Sequence, residues 1–204
     1  MKTIYSEQHR LRDAKTELHG GQLVTPFERP SRADTIIKAI GQSNLGDILE
    51  PETFAMDPVR AVHSDDFIAF LETAWQEWQD AGFTGEAIAS SWPARRMQSR
   101  LPDFIDGKIG YYALAAETSI TEGTWAAALA SKDVALTGAK ALLQGERGIF
   151  SLCRPPGHHA AIDMFGGYCF FNNAAIAAQY LLDQGAKRTA ILDIDFHHGN
   201  GTQD

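Results

Sequence analysis

Cysteine is scarce in this chain: Cys153 and Cys169 are the only two among 204 residues. So small a supply excludes a disulfide scaffold and points to a reducing compartment. No apolar run is long enough to cross a bilayer, and the opening Met1-Lys2-Thr3-Ile4-Tyr5-Ser6-Glu7 lacks the apolar core of a secretory leader. The expected location is therefore cytoplasmic, with no membrane partner. Basic charge is also short, since 18 Lys and Arg face 26 Asp and Glu for a net charge of -8. An acidic surface disfavours nucleic acid and attracts cationic ligands, such as aliphatic amines and lysine side chains. Internal repeats, low-complexity tracts and disordered linkers are absent.

What is present is ordinary for a globular protein: 44% hydrophobic and 22% charged residues, in a length that suits one α/β domain with its own core. Residues 2 to 5 read as a first strand, and 7 to 27 as a polar, solvated loop carrying His9, Arg12, Lys15, Glu17 and His19. Ser31 and Asp34 resemble a capping arrangement for a helix that stops at Gly41. A clearer helix is capped by Ser64, with Phe67, Phe70, Leu71, Ala74, Trp75 and Trp78 on one face as core. Residues 83 to 106 are punctuated by Gly85, Pro93 and Pro102 and form a long loop, of the kind used as a lid or a homodimer contact. Two further helices are expected over 108 to 119 and 125 to 144, the second capped by Thr124.

The chemistry lies in the last quarter. Gly148 to Cys153 reads as a buried strand, followed by Arg154-Pro155-Pro156-Gly157-His158-His159. A loop through Gly166 and Gly167 leads to Asn172 and Asn173, which start a helix closed by Gly185. Lys187 to Leu192 is again strand-like and runs into Asp193-Ile194-Asp195-Phe196-His197-His198-Gly199-Asn200-Gly201. Strand, helix, strand makes a βαβ unit with parallel, adjacent strands, so both motifs leave strand carboxyl ends into one crevice. Alternation places Asp193, Asp195 and His197 on one side. Two acids on an apolar strand call for a neutralising cation, and Asp with His suits zinc, manganese or iron(II). Aspartates that merely cap neighbouring loop amides would give the same row. The tandem histidines are candidates for proton transfer, with Asp193 and Asn200 of the right kind to hold their far ring nitrogens.

These motifs, together with Gly166-Gly167-Tyr168-Cys169-Phe170-Phe171-Asn172-Asn173, resemble the zinc-dependent histone deacetylase superfamily, and within it the bacterial acetylpolyamine amidohydrolases. The resemblance runs from residue 1 to residue 204. It implies a parallel sheet flanked by helices in an arginase/deacetylase-like three-layer sandwich, and hydrolysis of acetylated amines to acetate and free amine. By the same resemblance Asp195 and His197 match zinc ligands, and His159 the general base and then acid. His158 matches an electrostatic partner held by Asp193, and Asn200 the group that orients His159. Tyr168 and Gly167 match the wall of a narrow substrate tunnel, while Glu117 and Asp106 match acids near its mouth that attract a distant ammonium. A structural potassium ion near Asp193 is also implied.

The family's third zinc ligand and oxyanion tyrosine have no counterpart in these residues. The chain therefore reads as the N-terminal portion of a C-terminally incomplete domain, expected to be inactive alone. An arginase-like binuclear site is disfavoured because Gly199 stands where that family has a further acid. A cysteine hydrolase using Cys153 or Cys169 with the histidines, and a non-catalytic acyl-amine or metal-binding module or regulatory fragment that pairs with a complete subunit, remain as alternatives.

Overall fold

A computed structural model describes residues 1–204. In chain order the elements are β1 (Lys2–Ile4), a 3₁₀ turn (Glu7–Leu11), β2 (Glu17–His19), β3 (Gln22–Val24), α1 (Pro30–Ser43), β4 (Ile48–Leu49), α2 (Asp57–Arg60), α3 (Asp65–Asp80), α4 (Ile105–Tyr112), α5 (Thr124–Leu143), β5 (Ile149–Ser151), α6 (Asn173–Asp183) and α7 (Asn200–Gln203).

The sheet has order β4-β1-β5 with all strands parallel, Thr3 opposite Ile48 on one side and Phe150 on the other. On β5 and just past it the side chains alternate. Phe150 and Leu152 pack with Tyr5 and with Ala33 and Ile37 of α1, while Ile149 and Ser151 face α5. Helices thus cover both faces, as a three-layer α/β fold requires. The main core lies beyond the sheet, where α3 and α4 bring Phe67, Phe70, Leu71, Trp78, Ile109 and Tyr112 against Phe165, Phe170 and Phe171. The aromatic stripe of α3 is core, as its spacing implies.

Several expectations change. Residues 7 to 27 are not a plain loop: the 3₁₀ turn and a hairpin of β2 and β3 occupy it, and His9, Arg12 and Glu17 are buried. Helix α1 continues past Gly41 to Ser43 and closes on Asn44 in the left-handed region. Helix α4 begins at Ile105, so it takes the end of the long loop, and it stops at Tyr112, well before Ser119. Within that loop Ala87 pairs with Ile120 and Trp92 Nε1 donates to the Ala113 carbonyl at 2.9 Å, whereas Met97 is 75% exposed.

The largest difference is at residues 187 to 192, expected as a buried strand, and at the motif that follows them to residue 196. They form no ladder, and Ile194 and Phe196 are 89% and 97% exposed. The segment stands off from β5 across a groove of about 680 Å³ lined by Ile149, Ser151, Ala177, Leu181 and Leu192. Here the aspartates themselves satisfy the backbone. Asp193 Oδ1 accepts from the Asp195 amide at 3.0 Å and Asp195 Oδ1 from the His197 amide at 2.8 Å. Such side-chain bonds two residues along compete directly with a strand ladder.

Candidate active site

The histidine pair is fixed from below by the chain around it. Asn172 caps α6 by accepting from the Ala175 amide at 3.0 Å, and its Nδ2 donates to the Ala160 carbonyl at 3.2 Å. The turn that opens α7 docks onto the same loop, with the amides of Gly201 and Thr202 donating to the His158 carbonyl at 3.0 and 3.2 Å. Two motifs far apart in sequence are therefore joined by backbone bonds, and their side chains meet above.

His158 Nδ1 lies 2.9 Å from Asp193 Oδ2, and His159 Nδ1 lies 2.6 Å from Asn200 Oδ1. Asn200 Nδ2 donates to the His159 carbonyl at 3.3 Å, which orients the amide so that its oxygen faces the ring. An amide oxygen only accepts, so His159 carries its proton on Nδ1 and leaves Nε2 as an acceptor. The two histidine rings are 4.0 Å apart, and the His159 ring is 6.1 Å from that of His197. The pair and the acid-imidazole row thus face one space, as the sequence implies, although the connecting strand is missing.

Two glycines make this approach possible. A Cβ on Gly167, whose φ is +54°, would lie 2.1 Å from His159 Cδ2. On Gly199 it would lie 2.4 Å from Asp193 Oδ2 and 3.3 Å from His158 Nδ1. An aspartate at 199, which a binuclear arginase-like site needs, would displace the His158 partner.

The backbone amide of Asp195, and then the His158 ring, hold the Asp193 carboxyl below its ordinary range. The His197 amide, followed by its ring, does the same for Asp195. Both acids are ionised at neutral pH. Asp195 Oδ1 and His197 Nδ1 are 3.2 Å apart. That is close to the edge, about 3.3 Å, of a tetrahedron with ligand distances of about 2.0 Å. Carboxylate and imidazole so placed fit two donors of a zinc site, and no third His, Cys, Asp or Glu clusters with them. Potassium at Asp193 gains no support from these contacts, which are hydrogen bonds with the His158 ring and the Asp195 amide.

Glu117 Oε1 accepts from the Gly167 amide at 2.7 Å, and Thr118 Oγ1 from the Tyr168 amide at 2.8 Å. These bonds hold Tyr168 at φ 67°, an unusual conformation for an aromatic residue. Burial, then hydrogen bonding and charge from Glu17, raise the pKa of its phenol, and Glu117 and Glu28 add to the effect. Asp106 is tied elsewhere, accepting from Ser90 at 3.2 Å, with no hydrogen bond to this group. Burial pushes the thiols of Cys153 and Cys169 up to about 12, which disfavours the thiolate that a nucleophile needs.

Sequence reasoning missed the buried support behind the loop. Arg154 Nε donates to Glu28 Oε1 at 2.8 Å and its Nη1 to the His9 carbonyl at 2.5 Å. The only signal available was an arginine at a strand end directly before Pro155-Pro156-Gly157.

Comparison with known proteins shows the family and the fold. Residues 26–204 match the histone deacetylase domain. The chain is 58% identical over its full length to an acetylpolyamine amidohydrolase of Mycoplana ramosa, covering 60% of that protein. It is 53% identical to acetylpolyamine amidohydrolase 2 of Pseudomonas aeruginosa, covering 59% of it. The solved structure of an acetylpolyamine aminohydrolase from Burkholderia pseudomallei superimposes with a TM-score of 0.90 at 35% identity, over 100% of this chain and 58% of that one. The chain therefore spans about 60% of the length of the curated relatives it matches, and it belongs to the histone deacetylase domain family.

Proposed function

We propose that this chain carries the proton-transfer half, and two metal donors, of a centre that hydrolyses acetylated amines to acetate and free amine. One observation carries the reading: His159, fixed by Asn200 as an Nδ1–H tautomer, faces the Asp195 and His197 donors with ring centres 6.1 Å apart. Zinc held by Asp195 and His197 would supply a Lewis acid that polarises the amide carbonyl and acidifies water. His159 Nε2 takes a proton from the attacking water and later returns it to the amine nitrogen as the C–N bond breaks. His158, held at Nδ1 by the Asp193 carboxylate, stabilises negative charge developing at the carbonyl oxygen. Tyr168 and Gly167 wall the approach, and Glu117 and Glu17 give it the negative charge that suits an acetylpolyamine with a distant ammonium. Acetyl-lysine is the neighbouring substrate class.

Only two metal donors come from these residues, so the 204-residue chain by itself is inactive in this reading. The test joins the chain to the complementary C-terminal portion of the Mycoplana ramosa relative. The chimera should hydrolyse N-acetylputrescine, lose activity with a chelator, and lose it again in His159→Ala or Asp195→Asn. A chimera that turns over equally well as His159→Ala would sink the assignment, and substrate binding without turnover would favour a binding module.

A further inference from the structure

We infer that His63 and Asn172 act as one positioning unit for His159, setting the register between the histidine loop and the turn that carries Asn200. Neither residue reaches the reacting groups. His63 is 2% exposed, with its ring 5.6 Å from that of Phe67 and 5.4 Å from that of Phe171. Its Nδ1 is 2.7 Å from the Ala161 carbonyl, and its Nε2 accepts from the Asn172 amide at 2.9 Å. A carbonyl only accepts and an amide N–H only donates, so both ends of the ring are satisfied by one tautomer.

The bonds continue toward the site. Ala161 lies two residues past His159, and the neighbouring Ile162 carbonyl is held by the Ser64 amide at 2.9 Å. Asn172 Nδ2 donates both to the Ala160 carbonyl at 3.2 Å and to Thr202 Oγ1 at 3.1 Å. Thr202 sits on α7, whose first residue is Asn200. His63 therefore grips one side of the histidine loop and the backbone of Asn172, while the Asn172 side chain grips the loop and the Asn200 turn together. The 2.6 Å contact between His159 and Asn200 depends on that register holding to a few tenths of an ångström. A rigid imidazole with a donor at one end and an acceptor at the other is suited to such a bridge, whereas a hydrophobic ring of the same size would leave two buried backbone groups unpaired.

This inference rests on His159 as the proton-transfer group, but its test needs no turnover and so separates its failure from that of the proposed reaction. The 204-residue chain, labelled with ¹⁵N-histidine, reports the His159 Nδ1–H directly by NMR. His63→Phe, Asn172→Ser and Thr202→Val should each speed exchange of that proton with water by about tenfold or more and shift the ring toward the Nε2–H tautomer. Leu136→Ala, a core change in α5, serves as a control matched for lost thermal stability and should leave the ring unmoved. His63→Asn, which keeps a donor to the Ala161 carbonyl, should restore part of the protection. The inference is overturned if the variants lose stability while the His159 signals stay as in the parent. It is equally overturned if Leu136→Ala moves those signals as much. Should His63→Phe fail to fold, Thr202→Val decides alone.

Discussion

Acidification should weaken this fold through His63, and the amount follows from its surroundings. Burial pushes the ring from its ordinary 6.5 down to about 4, against the opposing hydrogen bonds to the backbone at Ala161 and Ile162. In the folded protein His63 is neutral because its Nε2 must accept from the Asn172 amide. The unfolded chain binds a proton at His63 below about pH 6.5, and the folded chain does not until about pH 4. Stability is therefore intact above the first value and falls as pH drops toward the second. At about 1.4 kcal/mol per pH unit, the gap corresponds to about 3 kcal/mol. Urea unfolding of the parent and of His63→Phe between pH 7 and pH 4 measures it. The variant starts lower, because Ala161 and Asn172 lose partners at about 1 to 3 kcal/mol each, but it has no proton to bind at this position. The two stability curves should converge by about 3 kcal/mol on acidification, with His9 and the carboxylates titrating equally in both. Curves that run parallel would refute the reasoning.

Gly199→Asp should break the contact between His158 and Asp193, because a Cβ there lies 2.4 Å from Asp193 Oδ2. In the chimera, kcat should fall by about a hundredfold with folding retained, read by N-acetylputrescine kinetics and circular dichroism. Arg154→Ala should destabilise the chain by about 3 kcal/mol or more, since it leaves Glu28 as an unpaired charge in a site where both side chains are under a tenth exposed. Arg154→Met with Glu28→Met should recover much of that loss in thermal unfolding. Iodoacetamide at pH 8 should leave Cys153 and Cys169 unmodified in the folded chain, by mass spectrometry, because both thiols are held near 12. Deleting residues 93 to 101 from the chimera should relax selectivity toward bulky acetyl-lysine peptides relative to N-acetylputrescine, and unchanged selectivity would count against a role in narrowing access.

The parts of this architecture that depend on local pattern were legible in the sequence. The stripe on α3, the asparagine start of α6 and the first strand all follow from spacing and capping chemistry. The two histidine-bearing motifs do meet, as expected, but not by the expected route: the second parallel strand does not form, and the Gly201 and Thr202 amides dock the motif on the His158 carbonyl instead. Partners set by tertiary contact were not legible. Nothing in the spacing links Glu28 to Arg154, 126 residues apart, or His63 to Ala161 and Asn172, 98 and 109 apart. A polar stretch such as 7 to 27 reads as solvated until its distant partners are known: Glu17 Oε2 accepts from the Phe27 amide, and Arg154 donates to the His9 carbonyl. The segment after Lys187 failed for a different reason: apolar alternation there competes with aspartates that bond the backbone two residues on, and the local bonds prevail where no ladder forms.

That last competition bears on how the donors are ordered. Between α6 and α7 no sheet hydrogen bond constrains the chain, yet Asp193, Asp195 and His197 still form one row. Each carboxylate divides its work. One oxygen of Asp193 holds the Asp195 amide and the other holds His158, while Asp195 Oδ1 holds the His197 amide and leaves Oδ2 without a hydrogen bond. Shape and charge are thus carried by the same atoms. Neutralising Asp193 would loosen the His158 ring and the Asp195 amide together, because an asparagine at this position offers one acceptor oxygen where the structure uses two. The row is ordered because it is charged, and a cation bound at Asp195 and His197 would find its two donors already spaced by hydrogen bonds internal to the loop.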